Sequence, residues 1–339
     1  MIRVGVIGCG SIGRVHAGIL KDIKEVILCA MVDPKLDRAE EFSQVYTERK
    51  ANVYGSFEAM AEKESLDVVH ICTPHSSHVP LAVAALKLGM HVFMEKPPAI
   101  NREQFQRLLI ESRRSSGRVG ICFQNRYNET TEKVTELLKA GVIGTIKGGR
   151  VFVTWHRDAS YYTESGWRGQ KETEGGGVLI NQSIHALDLL LGWLGKPIRT
   201  EASMSNHHLK GIIEVEDTFH GYMEFTQGKD PVSACFYATT AYAADAPVMI
   251  ELVGENGFIR IEGEQLWYQG AEQTEPVLWK SLKRMVPGKS YWGSGHQACI
   301  RDFYECLQTG KDYRNDLASV QTTFDTMMNL YESARNERE

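Results

Sequence analysis

The chain has 339 residues, of which 42% are hydrophobic and 24% charged, with a formal net charge of -5 and a pI near 6.2. That is more chain than one hydrophobic core usually holds, so two domains are expected, in a protein of ordinary soluble composition. The acidic balance without a basic run argues against nucleic acid; no apolar run approaches the roughly twenty residues of a membrane span, and the first seven residues read as a strand rather than a signal, so a cytoplasmic protein is expected.

Ile2–Ile7 is a short β-rich run, followed at once by Gly8-Cys9-Gly10-Ser11-Ile12-Gly13 and then by a helical pattern over residues 14–20. Between a strand and a helix, each glycine of this spacing has a physical role. Gly8 permits the tight turn, Gly10 lets the backbone approach a pyrophosphate, and Gly13 lets the helix pack closely on the strand. Ser11 and Ile12 open the helix, whose first N–H groups are available to phosphate oxygens. A second strand, Val26–Val32, ends in Asp33, twenty positions beyond Gly13, where a carboxylate would accept hydrogen bonds from an adenosine ribose. A carboxylate there repels a 2′-phosphate, so NAD is expected over NADP. Lys35 and Arg38 are near enough in sequence to accommodate that phosphate, which keeps NADP open.

The alternation continues with helices over 38–44 and 56–64, a strand over 67–72, Thr73-Pro74 with His75 and His78, and a helix over 79–88. Residues 90–99 then form an apolar run that stops in Glu95-Lys96 followed by two prolines. This reads as a buried strand ending abruptly, with its charged tip at a ligand crevice. A helix over 102–116 and a strand over 119–123 complete a doubly wound parallel sheet. Its crevice gathers the glycine turn, Asp33, Thr73, Pro74, Glu95 and Lys96.

After Gln124-Asn125-Arg126-Tyr127 and a polar helix to about residue 140, the character changes. Segments of β-type composition lie at 145–156, 198–204, 214–225, 232–240, 248–253 and 258–261, with a turn signal at residues 254–257. They predict an α+β domain with a large, mostly antiparallel open sheet, closed by helices over 297–308 and 315–334. The expected division is therefore 1–122 for dinucleotide binding and 123–339 for substrate binding and oligomerisation. Within the second part, three glycines lead into a helix on which Asn181, His185 and Asp188, spaced four and three apart, share a face. Such polar groups need partners or a ligand, and a satisfied core histidine is the alternative. Trp155 to Asp158, Tyr161, Tyr162, Trp167 and Arg168 supply aromatic platforms and donors that suit a polyol, although core packing explains any single aromatic as well. Seven cysteines without a C-x-x-C pair predict reduced thiols. His75, His78, His207 and His208 lack cysteine or carboxylate partners at ligand spacing, so no metal is expected.

Taken together, the glycine fingerprint, Thr73-Pro74 with His78, Glu95-Lys96-Pro97 and the glycine-led helix with His185 resemble the Gfo/Idh/MocA family over nearly the whole chain. The resemblance implies a Rossmann domain followed by an open-sheet domain whose face pairs subunits into homodimers or homotetramers. It implies that Lys96 and His185 flank the nicotinamide, with a cis bond before Pro97. Thr73, Pro74, His78 and Glu95 are expected on the cofactor side, and Arg126, Tyr161, Trp167 and Arg168 on the side of a carbohydrate-like substrate. Inositol dehydrogenase-like members carry an aspartate four residues before the histidine, where this chain has Asn181, which cannot take a proton. More of the proton transfer then falls to Lys96, Asn181 binds a substrate hydroxyl, and Asp188 orients the imidazole. The expected activity is hydride transfer between NAD and a secondary alcohol or ketone of a sugar, cyclitol or sugar derivative. Alternatives are an NADPH-dependent reductase of sugar ketones or dicarbonyls, a dinucleotide-sensing regulator, and an NAD-assisted glycosidase.

Overall fold

The computed structural model describes residues 1–228, 230–280 and 295–336. They fall into two units, 1–123 with 296–320 and 124–295 with 321–339. The first unit contains β1 (Ile2–Ile7), α1 (Ser11–Leu20), β2 (Val26–Val32), α2 (Leu36–Thr47), β3 (Asn52–Tyr54), α3 (Phe57–Ala61), β4 (Val68–Ile71), α4 (His78–Lys87), β5 (His91–Met94), α5 (Arg102–Arg114) and β6 (Val119–Ile121). Its six strands are all parallel, in the order β3-β2-β1-β4-β5-β6. The order reverses between β1 and β4, so the loops leaving their carboxyl ends diverge and open a crevice there. Strands β4 and β5 have almost no exposed residue, which is why they read as continuous apolar runs rather than alternating ones.

The first unit is completed by a stretch from much later in the chain. Within the helix His296–Thr309, Phe303 meets Phe93 of β5 edge-on, with ring centroids 5.2 Å apart, and Ile121 N–H donates to the Asn315 carbonyl at 2.9 Å. A contiguous division after residue 122 does not anticipate this return.

The second unit contains α6 (Glu129–Lys139), β7 (Ile146–Thr154), α7 (Ala159–Thr163), α8 (Lys171–Glu174), a π-helical turn (Leu179–Ser183), α9 (Ile184–Leu194), β8 (Arg199–Ser205), β9 (Thr218–Gln227), β10 (Asp230–Thr239), β11 (Met249–Gly254), β12 (Gly257–Glu262), β13 (Gln265–Gln269) and β14 (Val277–Lys280). The helix His296–Thr309 is α10, and Leu317–Asn336 is α11. The eight strands run β14-β13-β12-β11-β7-β10-β9-β8, antiparallel except for the β7–β10 pair. Strict alternation along β9 buries Phe219, Met223 and Phe225 and exposes His220 and Tyr222, so one face of the sheet is covered and the other open. Leu190 of α9 approaches Gly149 of β7 on the covered side. Strands β13 and β14 were not expected. Only Leu266 is buried in them, so neither carries an apolar pattern.

Among the described residues, one helical stretch, Lys171–Leu194, is long and apolar enough to pass for a membrane span, contrary to the expectation from the sequence. It is 78% buried over its apolar window and includes Glu174, Asn181, His185 and Asp188, the make-up of a core helix.

Candidate active site

The glycine turn is shaped by what a side chain would hit. Gly8 has φ +95°, and a Cβ there would lie 2.6 Å from the Cys72 carbonyl oxygen; one on Gly13 would lie 2.2 Å from the Gly8 oxygen. A Cβ on Gly10 meets nothing within 4 Å, and Gly10 brings no side-chain cap to α1. The backbone at Gly10 is therefore open to close approach beside the uncapped start of the helix, as a pyrophosphate needs. Across the turn, Asp33 is buried and fixed: Oδ2 accepts Cys9 N–H at 3.0 Å and Oδ1 accepts Lys35 N–H at 2.9 Å. Its remaining lone pairs can accept from ribose hydroxyls, so the residues present fit a dinucleotide. Burial, then the charge of Asp33, pushes the Cys9 thiol up to about 12 and leaves it inert.

Strand β5 ends at Met94, which puts Glu95, buried, and Lys96, half-buried, at its carboxyl tip. The Lys96–Pro97 bond is cis, as the family resemblance implied. His78, at the start of α4, lies 2.9 Å from the Pro97 carbonyl by Nδ1 and 3.0 Å from the Thr73 carbonyl by Nε2. Burial lowers His78 and favours the neutral ring, which donates its single N–H to one of these carbonyls while packed between the loop after β4 and the loop after β5. The Thr73 hydroxyl oxygen is buried in that loop without a hydrogen-bond partner.

Behind this tip runs a polar chain that the sequence reading missed. His16 Nε2 lies 3.0 Å from Glu95 Oε1, His16 Nδ1 2.9 Å from His70 Nδ1, and His70 Nε2 2.9 Å from the Tyr304 hydroxyl. A carboxylate only accepts, so His16 must present Nε2–H to Glu95. Burial, followed by the charge of His16, drives His70 well below its usual range, which leaves it neutral with one N–H. Burial alone would raise Glu95, but His16, and then His296 and Lys96, outweigh it and hold the acid well below the usual range. Glu95 is therefore an anion beside Lys96. A signal was present: a histidine inside the apolar run of β4 must find a partner. His16, Glu95 and Cys122 each place one potential metal ligand atom within 4.8 Å of the others. Both nitrogens of His16 are already engaged, so hydrogen bonding accounts for that cluster.

In the second unit, the polar helix has a different geometry from the one its spacing predicts. The stretch Leu179–Ser183 is a π-turn, so Asn181 precedes the regular helix that carries His185 and Asp188. His185 Nε2 lies 3.3 Å from the Gln124 amide nitrogen. Asp188 was expected to orient that imidazole. Instead it is 2% exposed, pairs in a fork with Arg126 (Oδ2 to Nε 2.7 Å, Oδ1 to the terminal nitrogen 2.6 Å) and accepts from the Thr323 hydroxyl at 2.7 Å. Arg126, expected at the substrate, is the cation of that pair.

Asn181 donates through Nδ2 to Glu174 Oε1. Glu174, also missed from the sequence, is fully buried and takes a second bond, to Oε2, from Gly169 N–H. Burial lifts it to about 7 against the opposing pull of these two bonds. Nearby, the Glu216 carboxylate accepts from Gly177 N–H at 2.9 Å, Leu179 N–H at 3.1 Å and the Tyr331 hydroxyl at 2.7 Å, satisfying the orphan donors where the helix begins. The glycine run permits this approach, since a Cβ on Gly177 would lie 1.9 Å from the Glu216 carbonyl oxygen.

The aromatic segment forms a cluster. The Arg168 guanidinium lies 4.4 Å over the Tyr161 ring and 5.0 Å over Trp167, while Arg157 lies 5.1 Å over Trp155 and is paired with Asp245. Gln182 Nε2 donates to the Tyr161 hydroxyl at 3.4 Å. Buried Arg168 Nε and Gln182 Oε1 have no hydrogen-bond partner, so polar capacity is left over beside Tyr161. Tyr162 packs with Leu209, Ile213 and Val215, and Tyr161 lies against the same cluster.

Residues 2–123 match the model of an oxidoreductase family with an NAD-binding Rossmann fold, and residues 131–260 that of a GFO/IDH/MocA C-terminal domain. D-glucoside 3-dehydrogenase of Escherichia coli is 30% identical over 67% of this chain and 68% of that protein. Myo-inositol 2-dehydrogenase of Thermotoga maritima is 29% identical over 58% of this chain and 56% of its own. Among solved structures, the WlbA dehydrogenase from Bordetella pertussis, in complex with NADH and UDP-GlcNAcA, shows a TM-score of 0.83 at 25% identity over 99% of this chain and 97% of that one.

Proposed function

The chain belongs to the Gfo/Idh/MocA family of oxidoreductases, and we propose that it catalyses the reversible, NAD-linked oxidation of one secondary hydroxyl of a sugar, cyclitol or sugar derivative. The observation that carries this reading is the tip of β5, where Lys96 stands next to a buried anion at the carboxyl edge of an NAD-binding sheet. Related proteins named for glucoside and inositol oxidation support the polyol class.

Bound NAD supplies the hydride acceptor. The chain's own residues hold and deprotonate the alcohol. Lys96 or His185 accepts the hydroxyl proton. Tyr161, Trp167 and Arg168 receive the sugar, offering ring faces and the unpartnered Arg168 Nε. Asp33 selects NAD over NADP by repelling a 2′-phosphate. The enzyme acts as a cytoplasmic homodimer or homotetramer joined through the open face of the eight-stranded sheet.

Substituting Lys96→Ala tests the assignment. Turnover on a panel of sugars and cyclitols, followed at the nicotinamide absorbance, is expected to vanish while NAD still raises the melting temperature. Turnover retained on any panel member, or loss of the fold or of NAD binding along with turnover, would refute the role of the lysine.

A further inference from the structure

We propose that Glu174 is a positioning residue that makes Asn181 a hydrogen-bond acceptor at the substrate site, doing for an amide what a carboxylate at position 181 would do unaided. The proposal rests on the functional reading above.

An asparagine amide has a donor end and an acceptor end, and its neighbours decide which end faces which way. Glu174 decides it here. Its Oε1 receives the Asn181 Nδ2–H and its Oε2 receives Gly169 N–H. An ionised carboxylate has nothing to donate, so it holds the amide with nitrogen toward itself. Oδ1 is then the end that Asn181 offers to its other neighbours, whether a substrate hydroxyl or an imidazole N–H. A protonated Glu174 carries an O–H that can be donated to Oδ1, and so it admits the flipped amide.

The selection therefore depends on the charge of Glu174. That group is lifted to about 7, first by burial, with repulsion from Glu216 adding to it and with Gly169, Asn181 and the Arg168 cation opposing. Tyr162 and Tyr331 also face it, both raised by burial and so un-ionised at neutral pH. Above about pH 7 the amide is held in one orientation, and below it the hold relaxes.

The test is kcat/KM against pH for the wild type, Glu174→Gln, Asn181→Asp and the double variant, with thermal unfolding as a check on folding. The wild type should rise through about pH 7 to a plateau. In Glu174→Gln that limb should disappear and the plateau fall about 10- to 100-fold, the usual cost of losing a residue that orients another. Adding Asn181→Asp should restore activity to within about threefold, because an aspartate presents an acceptor without help. Asn181→Asp alone should retain turnover with its limb moved above that of the wild type, since two facing carboxyl groups share a proton.

A wild-type limb preserved in Glu174→Gln, or a folded double variant no more active than Glu174→Gln, overturns the proposal. If Glu174→Gln fails to fold, Asn181→Asp decides: an unmoved limb, or loss of turnover with the fold intact, is fatal. A wild type active on a polyol but flat through pH 7 removes this inference alone. A wild type that turns over no polyol removes the functional reading and this inference with it.

Discussion

At the end of β2, the Asp33 carboxylate is held by the N–H groups of Cys9 and Lys35, so its charge cannot swing away from an approaching ribose. Replacing Asp33 with serine is expected to weaken NAD about tenfold, the worth of one charge-assisted hydrogen bond, and to narrow the gap between NAD and NADP in a direct binding assay. Asp188 illustrates a different role. It is buried with Arg126, so Asp188→Ala strands a guanidinium and should cost about 3 kcal/mol in urea unfolding, while replacing both partners by apolar residues should cost less. Asp33 was legible because its distance from Gly13 has a mechanical meaning. Glu174 was not, because a glutamate before glycines reads as an exposed turn residue until Gly169 and Asn181 are seen to close over it.

The elements that were legible are those with a continuous apolar pattern. Strands β1 and β2 have the bounds expected of them, and the sheet of the second unit was recovered up to β12. The three-residue β3 and the edge pair β13 and β14 carry too few buried side chains to leave a pattern. The π-turn was also invisible, since i, i+4 counting assumes a regular helix, and an extra residue in the turn changes which side chains align. The polar chain through His16 and His70 joins α1, β4, β5 and α10 inside one core. Tyr304→Phe leaves His70 Nε2 without its partner and should lower the unfolding free energy by about 1–3 kcal/mol, read by denaturant titration, with NAD affinity nearly unchanged.

Stability of the whole molecule against pH has two opposed contributions. The folded protein binds the Glu174 proton more tightly than the unfolded chain, about 7 against an ordinary 4.5, so this group stabilises at low pH and its contribution is lost as pH rises through that interval. His296, depressed to about 4 from 6.5 mainly by burial, contributes stability that is lost as pH falls through its own interval. The two slopes partly cancel, and Glu174→Gln should uncover the second. Its unfolding free energy relative to the wild type should climb from pH 4.5 to 7 and level off, by up to about 3 kcal/mol; a difference independent of pH would contradict this. On the open face of the large sheet, Tyr237 lies 4.9 Å from His220 and 6.0 Å from Phe152, ring to ring, a patch suited to burial against a second copy. Light scattering should report a dimer or tetramer for the wild type and a monomer for Tyr237→Asp.

The late return of α10 to the first unit has a bearing on biosynthesis. His70 and Tyr304, which bond directly, are separated by 234 positions, and Phe93 waits nearly as long for Phe303. A ribosome adding about 5–20 residues per second needs on the order of 10–50 seconds to make that stretch. Throughout that interval the nascent sheet carries an unfilled apolar surface and the His16–His70 pair lacks its phenol. The first-born part of the molecule is thus completed only near the end of synthesis, and shielding of nascent chains should matter most before Tyr304 emerges.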